Sequence, residues 1–161
     1  MRHLVLLLPL LAAAHAAAAD TISGNVVSIG DGDTLTLVDK AGKRHRIRLA
    51  EIDAPERKQP YGAKSRNSLA EICFHKPAVV ETSGTDSHGR VIGRVSCAGV
   101  DANAEQVRRG MAWVFARSTL PNSPLPEMEA NARLRRLGLW AGEKPEPPWK
   151  WRERHAAAAK K

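Results

Sequence analysis

Apolar and polar residues alternate along residues 21–49, and turn-forming residues interrupt the alternation twice. A period of two is typical of strands with one buried face, so the pattern predicts three strands. These strands are predicted at residues 25–30, 34–38 and 45–49. In the second strand Leu35 and Leu37 would share one face. In the third, Ile47 and Leu49 would face the core, which leaves Arg48 on the opposite side.

The remainder of the chain predicts two more strands and about three helices. The helices are expected at residues 63–73, 103–110 and 126–138, and the strands at 77–81 and 91–97. Asn103 and Gln106 have the spacing of a capping box that would open the second helix. Gly138 would end the third helix. Strands and helices in this order predict an α+β fold, a closed five-stranded β-barrel of the OB-fold type with about three α-helices.

The two ends of the chain differ in composition from the rest. A short basic start, a Leu-rich run and a string of alanines fill residues 1–19 and indicate a signal peptide cleaved before Asp20. A membrane anchor that is never cleaved is the alternative. We therefore expect a secreted or periplasmic protein with one domain at residues 20–141. A basic tail rich in Pro and Trp follows at 142–161, and its final eight or so residues are predicted to be disordered.

Charge and cysteine content narrow the class of protein. The chain has a formal charge of +8, and +7 remains without residues 1–19. A basic surface concentrates polyanions, although many exported proteins are basic without binding nucleic acid. Cys73 and Cys97 are too far apart for a redox or zinc motif. In an oxidising compartment we expect them to form a structural disulfide.

The tetrapeptide Asp31-Gly32-Asp33-Thr34 lies where the first strand ends. Two carboxylates around a glycine can present oxygen ligands to a hard cation such as Ca²⁺. The same residues are also favoured in an ordinary turn, and alone they do not decide between the two. An EF-hand is excluded because no acidic residue follows at the required spacing.

Two further clusters add the remaining parts of a phosphodiester hydrolase. Arg48 ends a strand and is followed by Asp53 and Glu56, which flank Pro55, and Asp86 precedes Arg90 in a polar turn. A cation can polarise a phosphate and a carboxylate can activate water. Two guanidinium groups can neutralise the charge that develops on phosphorus. The combination predicts cleavage of phosphodiester bonds.

The order of these motifs resembles the thermonuclease (staphylococcal-nuclease-like) family. The resemblance covers about residues 22–140 and includes Asp-Gly-Asp-Thr, Arg-Leu-x-x-Ile-Asp-Ala-Pro-Glu, Tyr-Gly and Asp-x-x-Gly-Arg. It implies an OB-fold barrel and calcium-dependent cleavage of DNA and RNA. It also implies rupture of the P–O5′ bond with 3′-phosphate products. We expect a monomer that leaves the membrane once the signal peptide is removed.

The resemblance also implies roles for individual residues. Asp33, Asp53 and the backbone carbonyl of Ala54 match the calcium ligands, and Glu56 matches the glutamate that holds the attacking water. Such a site has a low charge and is expected to bind calcium weakly.

The basic and acidic positions around these ligands match as well. Arg48 and Arg90 correspond to the arginines that grip the phosphate and stabilise the transition state. Asp31 and Asp86 match supporting acidic positions near the site.

The chain departs from the best-known family members where they contact the nucleotide. Ser87 and His88 replace a basic residue and a tyrosine, and Ala116 offers no phenol. His88 and Trp113 are the candidate substrate-binding residues. The alternatives are a catalytically inactive barrel that binds nucleic acid or protein, and a calcium-stabilised domain without activity.

Overall fold

The computed structural model describes residues 20–158. The expected signal peptide at residues 1–19 and the last three residues lie outside this part of the chain. Between residues 20 and 158 no helix is long and apolar enough to cross a membrane.

Five of the eight strands in the described part of the chain form a closed barrel. The strands are β1 (Thr21–Ile29), β2 (Thr34–Asp39), β3 (Arg44–Leu49), β4 (Ile52–Asp53), β5 (Pro77–Thr85), β6 (Val91–Cys97), β7 (Val100–Asp101) and β8 (Trp113–Val114). The long strands pair in the order β3-β2-β1-β5-β6, and parallel pairing of β3 with β6 closes the barrel. The predicted five-stranded OB-fold barrel is confirmed.

The alternation of the sequence places the core as expected. Leu35, Leu37, Ile47 and Leu49 are at most 1% exposed. Because neighbouring residues of a strand point to opposite faces, Arg48 lies between two buried residues and points away from them. Its guanidinium is thereby presented at the surface where β3 runs beside β6.

Within residues 20–158, four α-helices surround the barrel, one more than predicted. They are α1 (Gly62–Cys73), α2 (Ala102–Arg108), α3 (Leu125–Leu134) and α4 (Pro148–Ala158). Helix α3 ends at Leu134, earlier than the predicted stop at Gly138. Gly138 instead begins a short 3₁₀ turn at Gly138–Ala141.

The predicted capping box of α2 is wrong. The N-cap is Asp101, whose side chain accepts a hydrogen bond from the backbone N–H of Ala104. Asn103 is 2% exposed and lies inside the helix, where its Oδ1 accepts from the N–H of Val95 at 2.9 Å. Its Nδ2 donates to the carbonyl of Ala50 at 2.8 Å. Tertiary hydrogen bonds to the barrel therefore take the place of a local cap.

The predicted disorder of the C-terminus is wrong for residues 154–158, which belong to α4. The helix begins at Pro148, a residue that fits the first turn because it needs no N–H partner there. Pro148 is buried, and Trp149 packs against a cluster that contains Trp113 and Trp140. This aromatic packing fixes the start of the helix on the barrel.

The expected disulfide is present. Cys73, at the end of α1, is bonded to Cys97, at the end of β6, and both residues are fully buried. The bond ties the helix that follows the acidic loops to the barrel wall.

Candidate active site

The loop between β1 and β2 holds Asp33 against two other segments of the chain. Asp33 is 3% exposed, and its Oδ2 accepts a hydrogen bond from the N–H of Ala54 at 2.7 Å. The carbonyl of Gly32 accepts from the side chain of Gln106, also at 2.7 Å. A Cβ at position 32 would lie 1.8 Å from the Oγ of Ser65, so only glycine lets the loop approach α1 this closely.

Arg48 neutralises the two predicted calcium-binding aspartates. Its Nη1 lies 2.7 Å from Oδ1 of Asp33, and its Nη2 lies 3.3 Å from Oδ1 of Asp53. Nη2 also donates to the carbonyl of Ile52 at 3.3 Å. The side chain of Arg48 retains 20% exposure, so a phosphate could reach it from the solvent side.

The segment after β3 turns sharply to present Asp53 and Glu56. Glu51 adopts a left-handed backbone conformation with φ 63°, and its carbonyl accepts from the N–H of Phe115 at 2.7 Å. Asp53 then lies on β4, which pairs with β8, and is 1% exposed. The N–H of Glu56 donates to Oε1 of Gln59 at 3.1 Å. Asp53 is thus rigidly held, whereas the Glu56 carboxylate lies at the pocket edge with 38% exposure.

The turn between β5 and β6 supplies the second predicted arginine. Nε of Arg90 donates to Oδ2 of Asp86 at 2.7 Å, and Nη1 lies 3.5 Å from Oγ1 of Thr34. The backbone N–H groups of His88 and Arg90 both donate to Oδ1 of Asp86 at 2.9 Å. Asp86 therefore organises the turn and orients Arg90.

These elements converge on one pocket of about 360 Å³. Its lining consists of the side chains Asp31, Asp33, Arg48, Asp53, Ala54, Glu56, His88, Arg90, Phe115 and Arg152. All the predicted metal and catalytic residues are in that set. Of the supporting acids, Asp31 lines the pocket, and Asp86 is placed beside it through its contact with Arg90.

Trp113 lies outside this pocket. It is 4% exposed, and its ring meets that of Trp140 edge to face, with centroids 5.2 Å apart. It lines an adjoining groove of about 690 Å³, together with Arg117, Trp149 and other residues. Phe115 and Arg152 line both cavities. The two cavities are therefore neighbours.

Burial and ion pairing shift the pKa of several of these groups. Burial raises the pKa of Asp33, and this effect exceeds the opposing influence of Arg48. Burial alone would lower the pKa of Arg48, but the carboxylates of Asp33 and Asp53 outweigh it and the pKa is raised. Burial would likewise raise the pKa of Asp86, yet hydrogen bonds from Arg90 and His88 lower it to about 2.

The donor chemistry of the pocket fits a hard divalent cation. Asp33, Asp53 and Glu56 offer carboxylate oxygens, the ligands that calcium and magnesium prefer. Among residues 20–158, however, no three His, Cys, Asp or Glu side chains are grouped as they would be around a metal ion. The carboxylates of Asp33, Asp53 and Glu56 pair instead with the guanidinium groups of Arg48 and Arg152, with which a cation would compete.

Arg152 is the charged pocket residue that sequence reasoning missed. It lies on α4, and its Nη2 is 2.7 Å from Oδ2 of Asp53 while its Nη1 is 2.8 Å from Oε1 of Glu56. Two prolines followed by a stretch with two tryptophans could have signalled a helix that packs on the barrel. Arg152 is 99 positions from Asp53 and 96 positions from Glu56 in the sequence, and no local pattern reveals contacts over such a separation.

Comparison with known proteins identifies the family. Residues 46–142 match the family described as "Staphylococcal nuclease homologue". The chain therefore belongs to the staphylococcal nuclease homologue family, and the sequence-based assignment to a nuclease class of hydrolase is confirmed.

Several relatives are similar over most of their length. A protein of Escherichia coli named "Uncharacterized endonuclease" is 40% identical over 134 residues, which cover 83% of this chain and 86% of the relative. A protein of the same name from Haemophilus influenzae is 39% identical over 127 residues, which cover 79% of this chain and 71% of the relative. "Micrococcal nuclease" of Shigella flexneri is 38% identical over 140 residues, 80% of this chain and 79% of that protein.

Proposed function

We propose that this protein is an exported, calcium-dependent nuclease that hydrolyses phosphodiester bonds of DNA and RNA. The observation that carries the proposal is the convergence of Asp33, Asp53, Glu56, Arg48 and Arg90 on one pocket. Three carboxylates and two guanidinium forks are the groups that hydrolysis of a phosphodiester requires. Membership of a nuclease family supports nucleic acid as the substrate.

Asp33, Asp53 and the carbonyl of Ala54 are the proposed ligands of the cation. When bound, the ion would polarise the phosphate and offset its negative charge. Few charged ligands and an open edge suit Ca²⁺, which tolerates variable oxygen coordination, better than Mg²⁺, which demands a near-ideal octahedron. The N–H of Ala54 fixes Oδ2 of Asp33, and Oδ1 lies against Arg48 at 2.7 Å.

Glu56 is the proposed base that orients and deprotonates the attacking water. Its partial exposure at the pocket edge gives water access to it. The water oxygen forms the new bond to phosphorus, and the P–O5′ bond breaks. The 5′ oxygen leaves and takes up a proton, so the products are a 3′-phosphate and a 5′-hydroxyl.

Arg48 and Arg90 are proposed to hold the phosphate and to neutralise the charge that grows on its oxygens. A guanidinium offers two parallel N–H groups that match two phosphate oxygens, a geometry that lysine lacks. Asp86 orients Arg90 because its Oδ2 accepts a 2.7 Å hydrogen bond from Nε of Arg90, which leaves the Nη groups directed away from that contact.

The groove beside the pocket is proposed to take the bases that flank the scissile bond. Phe115 and Trp149 supply aromatic surfaces on which single-stranded bases can stack, and Arg117 adds positive charge. Trp113 would act as the floor of this groove rather than as an exposed stacking partner. His88, at the rim of the pocket, would hydrogen-bond a phosphate.

Export and a monomeric state complete the proposal. Two observations support export. They are the signal-like composition of residues 1–19 and the disulfide, a bond that persists in oxidising compartments. Expression with the native N-terminus in a bacterial host should give a periplasmic or secreted protein that begins at Asp20. N-terminal sequencing checks this, and light scattering checks the mass. A membrane-bound product that retains residue 1 would contradict cleavage.

The decisive test is release of acid-soluble nucleotides from heat-denatured DNA and from RNA. With millimolar calcium the purified protein should degrade both, and a chelator should stop it. Glu56→Gln should remove the activity, whereas Glu127→Gln, the same change at an exposed position of α3, should not. The products should carry 3′-phosphate ends.

Salt-sensitive DNA binding without any cleavage, with each of calcium, magnesium and manganese, would overturn the proposal. It would favour the inactive binding barrel instead. The intact set of Arg48, Glu56 and Arg90 would then have no role in hydrolysis.

A further inference from the structure

Helix α4 inserts an arginine into the carboxylate pocket. Both Nη atoms of Arg152 contact Asp53, with Nη1 at 3.2 Å from Oδ1 and Nη2 at 2.7 Å from Oδ2. Nη1 also donates to Oε1 of Glu56 at 2.8 Å. One guanidinium therefore bridges the proposed metal ligand and the proposed base.

The helix is anchored independently of this contact. Nε2 of Gln59 donates to the carbonyl of Glu146 at 2.6 Å, and the rings of Trp149 and Phe115 have centroids 5.9 Å apart. Arg154 pairs with the carboxylate of Glu146 at 2.6 Å. Since these contacts fix the first turns of α4, Arg152 is held close to the pocket even when its own ion pairs are broken.

Arg152 and a cation would need the same oxygens. Oδ2 of Asp53 accepts from Arg152, and Oδ1 is shared between Arg152 and Arg48. A metal ion bound to Asp53 would lie beside the guanidinium of Arg152, and the two positive charges would repel each other in a pocket that screens charge poorly. The side chain of Arg152 is 47% exposed, so it can move out into solvent. Arg48 is more enclosed and cannot leave as easily.

We propose that Arg152 is a built-in competitor of the divalent cation, which it replaces on Asp53 and Glu56 in the metal-free protein. The proposal rests on the metal role given above to Asp53. Arg152 keeps the carboxylates of Asp53 and Glu56 paired while no metal is bound. It raises the calcium concentration at which the site fills, and it keeps Oε1 of Glu56 engaged in an ion pair until then. Arg152 is thus a positioning residue that acts through Asp53 and Glu56.

Calcium titration by calorimetry of the parent and three variants tests this inference. Arg152→Gln removes the competing charge, so the Kd for calcium should fall by about fivefold, the upper end of what a partly exposed ion pair contributes. Lys150→Gln is the matched control, since it makes the same change in charge at an exposed position of the same helix. Its Kd should stay within twofold of the parent.

Arg152→Lys separates the ion pair from the fold of α4. Lysine keeps the charge but loses the fork that contacts Asp53 at both oxygens, so its Kd should lie between those of the parent and Arg152→Gln. Circular dichroism should show the same helix content in all variants. If Arg152→Gln lost helix content, the calcium Kd of Arg152→Lys would test the inference in its place.

A second measurement follows the side chain itself. The NMR signal of the Arg152 guanidinium, assigned by its absence from Arg152→Gln, should shift on addition of calcium towards that of an exposed arginine. The Arg154 signal should stay in place. A role of Arg152 in folding alone would not produce a calcium-dependent shift.

Two results would overturn the inference, and they differ in what else they affect. If Asp53→Asn abolishes calcium binding but Arg152→Gln binds calcium as the parent does, the metal site stands and the competition fails. If Asp53→Asn leaves calcium binding intact, the proposed metal site fails and the competition with it.

Discussion

The guanidinium of Arg48 lies 2.7 Å from the carboxylate of Asp33, which joins the end of β3 to the loop between β1 and β2. The same guanidinium reaches Asp53 at 3.3 Å. One arginine therefore holds two buried aspartates from different segments at a short distance from each other. Without that positive charge, the two carboxylates would repel each other in surroundings that screen charge poorly.

Replacement of Arg48 by lysine should reduce turnover by about a hundredfold or more, the loss seen when one preorganised donor to a transition state is removed. Lysine keeps the charge but offers no fork to bridge phosphate and aspartate. Initial rates on single-stranded DNA at saturating calcium would measure this. Arg94→Lys is the control, since Arg94 pairs with Asp101 at 2.8 Å on the exposed surface. A rate for Arg48→Lys within a few-fold of the parent would contradict the assignment.

Gly32→Ala should destabilise the protein by about 1–3 kcal/mol, as overpacking of a filled site does. The added Cβ would lie 1.8 Å from Oγ of Ser65 and 2.8 Å from Cβ of Ala54, so the loop must move away from α1 and carry Asp33 with it. Urea unfolding measures the stability, and calcium titration measures the metal affinity, which should fall.

Gly30→Ala, two residues earlier in the same loop, is the control for that change. Its added Cβ would come no closer than 3.4 Å to Thr34, so it should leave calcium affinity near that of the parent. Equal effects of the two substitutions would show that the close approach at Gly32 does not position the aspartate.

Removal of the disulfide by Cys73→Ala with Cys97→Ala should lower the free energy of unfolding by about 3–4 kcal/mol. The bond closes a loop with a sequence separation of 24, and its loss returns that loop's entropy to the unfolded chain. Urea unfolding under oxidising conditions measures the difference. Two titratable thiols in the denatured, oxidised parent would show that the bond does not form.

Stability should depend on pH through Asp86, whose pKa falls from an ordinary 3.8 to about 2 in the folded protein. In this pH range the unfolded chain binds more protons than the folded chain, so stability rises with pH. The contribution is complete above about pH 4 and is lost as the pH falls towards 2. Asp86→Asn should flatten this dependence in unfolding curves measured between pH 5 and 2.

Glu143→Gln removes an exposed carboxylate in the loop before α4 and serves as the control. It should leave the acid dependence of the parent unchanged. If Asp86→Asn and the parent lost stability equally steeply between pH 5 and 2, the role of this turn would be refuted.

Local pattern was sufficient for the barrel strands and for the residues carried on them. Leu35 and Leu37 are buried because an alternating strand with one core face has no other stable orientation. The same alternation placed Arg48 opposite that core. Asn103 shows where local pattern fails. It has the spacing of a helix cap, but its side chain hydrogen-bonds Val95 and Ala50 of the barrel instead of the helix N-terminus.

The sequence by itself determined the order of the barrel elements along the chain and their core faces, since spacing within single elements fixes both. The set of carboxylates and arginines followed from the order of the motifs and from the family that they resemble. Only the tertiary structure decided that α4 returns to the barrel and that Arg152 enters the pocket. That contact depends on aromatic packing of Trp149 and on charges almost a hundred residues apart. Attraction between distant residues leaves no periodicity in the chain, so it becomes visible only after folding brings them together.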